Sequence, residues 1–164
     1  IILKKKKLGE NFGASIYSER ELLYVLKNKI FTYIQLPINI ADSYYFMKYR
    51  NKLKGKIIIA RSLVLQGTLL SIKINFKFKK QITNFRKYIN IISYKNKISK
   101  EELIYRYVFS LKNLNYALIG SINKENIKKI INYKKKGSLN NKLINKLNEI
   151  SAIKKNWSNP KKWN

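Results

Sequence analysis

Four short stretches carry side chains able to meet a ligand. Ser15 follows a glycine and an alanine in "FGASIY" (12–17). Gln35 stands inside the apolar run "FTYIQLPIN" (31–39). Arg61 and Ser62 interrupt "IIIARSLVLQGTLL" (57–70), which breaks again at Gln66 and Gly67. Gly120, Ser121, Asn123 and Asn126 fall in "YALIGSINKEN" (116–126). Hydroxyls, carboxamides and a guanidinium hydrogen-bond amides and phosphates. A glycine opening onto a helix start offers backbone N–H groups to an anion. What these residues do not offer is a conventional proton-transfer base. Histidine and cysteine are both absent, which excludes imidazole catalysis, thiolate chemistry and Cys or His metal ligation within this chain. Only 8 Asp plus Glu remain.

Each feature has a structural reading beside the functional one. Ser18, Asp42 and Ser99 read first as helix caps. Gln35 in an apolar strand costs about 1–3 kcal/mol unless its amide is hydrogen-bonded, and either a neighbouring strand or a ligand would satisfy it. Arg61 can pair with one of the few acids. Gly67 can be a simple turn, and many helices begin as Gly120 to Asn126 do.

The elements that must position these residues alternate. "FGASIY" reads as a strand, and Ser18 with Glu21 forms a capping box opening a helix over 19–28. A second strand closes at Pro37, and Asp42 is placed to cap a helix over 43–53 that ends at Gly55. "KIIIA" (56–60) has the continuous apolar character of a parallel strand buried on both faces. A connection (68–80), a helix near 81–95 and a second capping box, Ser99 with Glu102, lead into a helix ending near 112. "YALIG" (116–120) is the last strand, followed by helices at 124–134 and 139–150 and an irregular tail. Residues 1–8 read as a frayed helix end. Strand followed by helix, four times over, predicts parallel strands with right-handed crossovers. An open doubly wound sheet and part of a (β/α)8 barrel both fit. No Gly-rich phosphate fingerprint follows the first strand, since "GENFGAS" precedes it. In either architecture ligands bind at the carboxyl ends of the strands, where all four polar clusters lie.

Charge points two ways. The formal net charge of +28 suits a phosphate backbone, so a basic α/β RNA- or ribosome-binding protein is the alternative reading. Lys, Asn, Ile and Tyr also share A/T-rich codons, and the lysines are spread along the chain, with no Arg-rich tail or Gly-aromatic RNA-binding motif. No apolar stretch reaches the 18–20 or so residues of a membrane helix, and no secretory signal is visible, so a cytoplasmic location is expected.

The quoted segments resemble the C-terminal half of the aldo-keto reductases, (β/α)8-barrel oxidoreductases using NADP or NAD. "GASIYSERELLYVL" is similar to that family's fifth strand and helix, and "YIQLPINI" to its sixth strand with its glutamine. "ARSLVLQGTLL" resembles the seventh-strand "YSPLGxGLL" region, and "YALIGSINKENIKKII" the eighth strand and the following helix start. "NWSNPKKW" resembles the "DPxxW" tail of a bacterial branch, some of whose members occur with surface-sugar or polysaccharide biosynthesis enzymes. The resemblance implies half of a (β/α)8 barrel: four parallel strands near 12–17, 32–36, 56–61 and 116–120, each followed by helix, with a C-terminal helix and tail. It implies that Ser15 and Gln35 bind the nicotinamide carboxamide, that Arg61 stacks on the nicotinamide where many members carry tyrosine, and that Ser62, Val64 and Gly67 line the pyrophosphate. Gly120, Ser121, Asn123 and Asn126 would surround the adenosine ribose and any 2′-phosphate.

The departures have consequences. Leu63 and Leu65 replace the family's proline and glycine, and Ile16 replaces an asparagine that contacts the carboxamide. Ile122 and Asn123, with Lys124 nearby, stand where a 2′-phosphate ligand is usual, leaving NAD and NADP both open. The family's catalytic Asp, Tyr, Lys and His belong to the first barrel half. Tyr17, Tyr33 and Tyr116 are phenols that no pattern nominates in their place. A barrel usually takes about 250 residues. The chain is therefore expected to be a truncated product or a fragment, inactive alone. It should be poorly soluble or associate with an N-terminal half that completes the site for a small carbonyl substrate.

Overall fold

Four strands form one parallel sheet whose spatial order is the chain order. They are β1 (Phe12–Ser15), β2 (Phe31–Pro37), β3 (Ile57–Arg61) and β4 (Tyr116–Ala117). Sequential order decides between the two architectures. Successive right-handed crossovers that always step the same way keep every helix on one face, as in a barrel wall, whereas a doubly wound sheet reverses. The computed structural model describes residues 11–71 and 77–163. The expected helix end at 1–8 and part of the 68–80 connection lie outside the described residues.

Between and after the strands come α1 (Glu19–Lys27), α2 (Tyr44–Lys48), α3 (Lys79–Lys95), α4 (Lys100–Phe109), α5 (Lys124–Lys135) and α6 (Asn141–Ser151). Two 3-10 turns, Asn156–Ser158 and Pro160–Lys162, complete the tail. Alternate strand residues divide the sheet. Ile34, Leu36, Ile58 and Ala60 are buried in one core with Leu22, Val25, Phe46, Leu103 and Tyr107 from the helices. On the opposite face, the register aligns Gly13 with Tyr33 and Ser15 with Gln35, then Gln35 with Ile59 and Pro37 with Arg61. This face is only half-covered, and Tyr116 at its far edge is exposed. Gly13 has a steric reason: a Cβ there would meet Tyr33 Cβ at 2.8 Å.

β3 and β4 are each followed by two helices, as expected. Several other expectations need correction. β4 has two residues, not five. Leu118 N–H still donates to the Ala60 carbonyl at 2.8 Å, but β3 ends at Arg61 and Ser62 turns away with φ 58°, leaving residues 119 and 120 without a strand to pair. The helix expected over 43–53 is regular only over Tyr44–Lys48. Its N-cap, Ser43, makes no capping bond, because its hydroxyl is buried against Tyr107 and Ser151. Asp42 accepts instead from the Tyr44 N–H at 3.2 Å and the Ser158 hydroxyl at 2.8 Å. Turns then carry the chain to Gly55, whose φ of 80° is the left-handed close expected there.

The Ser18–Glu21 capping box is complete. At Ser99 only half forms: Ser99 accepts from the Glu102 N–H, while the Glu102 carboxylate turns to Arg106 and Lys136. The tail is docked rather than irregular. Trp157 packs 5.0 Å from Phe85 between ring centroids, Trp163 is buried, and its indole N–H donates to the Trp157 carbonyl at 2.8 Å. The Lys155 ammonium donates to the carbonyls of Ala41, Ile150 and Ile153.

Candidate functional site

Because all four strands run parallel, their carboxyl ends share one rim, and Ser15, Gln35, Ser62 and Gly120 all lie at or just past those ends. Ser15 and Gln35 are register partners on the half-covered face, and the Ser15 hydroxyl donates to Gln35 Oε1 at 2.8 Å. Among the described residues the Gln35 amide NH2 makes no hydrogen bond.

Arg61 closes β3. Its guanidinium donates to the Ile16 carbonyl at 2.9 Å and lies 4.1 Å from the Tyr17 ring centroid, reaching across β2 to tie the end of β3 to the end of β1. A weaker contact of 3.4 Å runs to the Ser62 hydroxyl. Arg61 Nε is buried with no acceptor among the described residues. A buried donor left unmade costs about 1–3 kcal/mol. Next comes a tightly turned loop in which Ser62, Leu65, Gln66 and Gly67 all have positive φ. For leucine and glutamine this region is disfavoured, and Leu65 is held there by complete burial. The loop satisfies its own backbone through bonds such as Leu65 N–H to Ser62 and Leu70 N–H to Gly67, both 2.9 Å. Val64 is half-buried against the core.

The rim and the tail enclose a cavity of about 460 Å³. Tyr17, Pro37, Arg61, Ser62 and Gln66 line its rim side, and Lys154, Lys155, Lys161 and Lys162 its tail side. Lys161 Nζ also lies 4.1 Å from the Tyr17 ring centroid, so one phenol carries two cations. The Ser15 hydroxyl, then the Arg61 guanidinium, pull the Tyr17 phenol below its ordinary value. Asp42 is the lining carboxylate, and burial pushes it up despite the Ser158 and Tyr44 hydrogen bonds. Burial likewise pushes the Lys155 ammonium down.

Of the site residues expected from the resemblance, only Arg61 and Ser62 line this cavity; Ser15, Gln35, Val64 and Gly67 do not, and neither does any residue of the fourth cluster. Asn123 is the N-cap of α5, and its carboxamide accepts from the Glu125 and Asn126 N–H groups at 2.9 and 3.3 Å. The Ser121 hydroxyl in turn accepts from the Asn123 N–H at 3.2 Å. An anion at this helix start would have to displace the Asn123 side chain. Sequence reasoning passed over the tail lysines and gave Tyr17 no role. The signal was the pairing of "KK" on both sides of "NWSNP", a segment read as irregular.

No protein-family model and no curated protein matches the sequence. Solved structures do match the fold. An aldo-keto reductase from Bacillus halodurans, AKR11C1, superposes in its holo form with a TM-score of 0.71 at 15% identity, covering 93% of this chain and 54% of that one. Its apo form gives a TM-score of 0.72 over 93% and 55%. A glycerol dehydrogenase from Gluconobacter oxydans, AKR11B4, gives 0.68 at 15% identity over 91% and 51%. The chain thus spans about half the length of the solved structures it matches. Nothing in the described fold supports the RNA-binding alternative. Among the described residues, no helix is long and apolar enough to cross a membrane, and no His, Cys, Asp and Glu cluster could hold a metal. Four parallel strands with helices on one side, superposing on those enzymes over nearly the whole chain, make this the fold of about half an aldo-keto reductase barrel.

Proposed function

We propose that this chain is the cofactor-binding part of an NAD(P)H-dependent aldo-keto reductase acting on a small carbonyl or alcohol substrate. The observation that carries the reading is the hydrogen-bonded Ser15–Gln35 pair near the rim, with Arg61 one strand away. A carboxamide is a fitting partner for an amide and a hydroxyl held side by side. The nicotinamide dinucleotide would supply the hydride. Ser15 and Gln35 would orient the nicotinamide amide. The 62–67 turn, with the Ser62 hydroxyl and the exposed Gln66, would meet the phosphates. Arg61 has one ring partner already in Tyr17, so its stacking role toward a nicotinamide would require either its free face or a shift of Tyr17. Asn123 and Asn126 would take the ribose side only if the α5 cap opens.

The acid–base groups would come from the other barrel half. That half would also cover the exposed edge residues Tyr116 and Leu118. The test is calorimetric titration of NADP+ and NAD+ into the chain, and into Ser15→Ala and Gln35→Ala variants. Binding that weakens about tenfold or more in each variant is expected. Binding unchanged in both variants, or absent, overturns the reading.

A further inference from the structure

We propose that the cavity under the tail is a phosphoryl-binding site whose ligands are Lys154 and Lys161 from the tail and Arg61 from β3. Five cations line it: Arg61, Lys154, Lys155, Lys161 and Lys162. Lys155 is spent on three backbone carbonyls, and Lys162 donates to the Asn156 side chain at 2.9 Å. Among the described residues the Lys154 and Lys161 ammonium groups make no hydrogen bond; they lie over the rings of Tyr44, Tyr45 and Tyr17, with Asp42 and Glu19 in the field of Lys154 and Glu21 in that of Lys161. Among the described residues none of the five lies within ion-pair distance of a carboxylate, whereas Lys48, Lys128, Lys129 and Lys136 each do. Asp42 faces the cavity but is engaged by the Ser158 hydroxyl and the Tyr44 N–H. Glu21 lies near Lys161, yet its carboxylate accepts from the Tyr17 and Ser18 N–H groups.

In a chain this basic an unpaired surface lysine means little. Convergence on one concave space means more, because a cleft lined with one sign of charge concentrates counter-ions. Arg61 adds a fixed cation at the cavity wall, its guanidinium anchored by the Ile16 carbonyl and the Tyr17 ring. Ser62 and Asn159 supply neutral donors on the same lining. A phosphoryl group matches this set: several oxygens, a charge near two, and a size that leaves room for a small organic body in 460 Å³. Its source is either the pyrophosphate of a dinucleotide or a phosphorylated substrate. Only the first source rests on the cofactor reading above; the site itself does not.

The experiment titrates inorganic pyrophosphate into the full chain and two double variants of equal charge change. Lys154→Ala/Lys161→Ala removes the tail ligands. Lys135→Ala/Lys142→Ala removes exposed lysines outside the cavity. Affinity is expected to fall at least tenfold in the first and less than twofold in the second. Equal losses, or no pyrophosphate binding, overturn the site. Competition then identifies the source. Displacement of pyrophosphate by NADP+ assigns the cofactor, and displacement by a sugar phosphate alone assigns the substrate. Displacement by neither marks an adventitious ion only and overturns the proposal. NADP+ binding sensitive to Ser15→Ala but not to the tail variant, with no sugar-phosphate competition, overturns this inference and leaves the cofactor reading standing. The reverse pattern overturns the cofactor reading alone.

Discussion

Two arginines divide the molecule's electrostatics between them. Arg106, on α4, is neutralised: it meets Glu102 at 2.8 Å, and its other nitrogens donate to the carbonyls of Gly137, Lys136 and Ser138 past the end of α5. Lys136 joins the same carboxylate at 2.6 Å, and Glu101 binds Lys129 beside it. Arg61, at the rim, has a backbone carbonyl and an aromatic face but, among the described residues, no carboxylate partner. Few acids exist in this chain, and its α4–α5 corner takes two of them while the rim cavity has only the engaged Asp42. The lesson is that positive charge here is balanced where helices must join and left unbalanced where the barrel fold places its ligands.

The sharpest way to break that contrast is to remove each counterpart. Glu102→Ala leaves a nearly buried guanidinium unpaired, and unfolding in urea should show a loss of about 3 kcal/mol. Arg61→Met should cost about 1 kcal/mol, the worth of one hydrogen bond, while weakening NADP+ binding about tenfold. Equal stability losses would erase the distinction. Next in size, Gly13→Ala forces a Cβ onto Tyr33 and should cost about 2 kcal/mol in the same measurement, as overpacking does.

The pH dependence sharpens the comparison further. Burial opposes it, yet the hydrogen bonds from Lys136 and Arg106 hold the Glu102 carboxyl below its ordinary value of 4.5. A depressed carboxyl contributes stability that is full above its unfolded pKa and is lost as pH falls through the folded one. Asp42 works oppositely: its carboxyl is raised above 3.8 by burial, so stability falls as pH rises through that window. Thermal melts from pH 3 to 7 should therefore show a shallower acid limb in Glu102→Gln than in the parent. Asp42→Asn should gain relative stability above pH 4 or so. Smallest of all, Lys161→Ala should change the melting free energy by less than about 0.5 kcal/mol, since its cation is not ion-paired.

How much of this was legible in the sequence depended on whether the cause was local. The Ser18–Glu21 box and the left-handed close at Gly55 are set by residues a few positions apart, and both read correctly. So did the parallel strands, because the alternation of strand and helix leaves each strand a crossover back to the same direction. The half-formed box at Ser99 did not, since Glu102 is claimed by Lys136 from another helix. The missing cap bond at the start of α2 traces to a buried hydroxyl contact between Ser43 and Ser151, far apart in the chain. The short β4 traces to a turn at Ser62 in its neighbour. At the rim, the positions of Ser15, Gln35 and Arg61 followed from where the expected strands end. The cavity did not, because its second wall is the tail, brought over by Trp157 and Trp163 packing that no periodicity announces.

The account rests on a nicotinamide dinucleotide lying across this rim. Backbone amide shift mapping of the isotopically labelled chain during an NADP+ titration tests it most directly. The predicted result is saturable shifts at Ser15, Gln35 and the 61–67 turn, with the α4–α5 corner unmoved. Shifts confined to exposed lysines, or saturation without any change at Ser15 and Gln35, would contradict it.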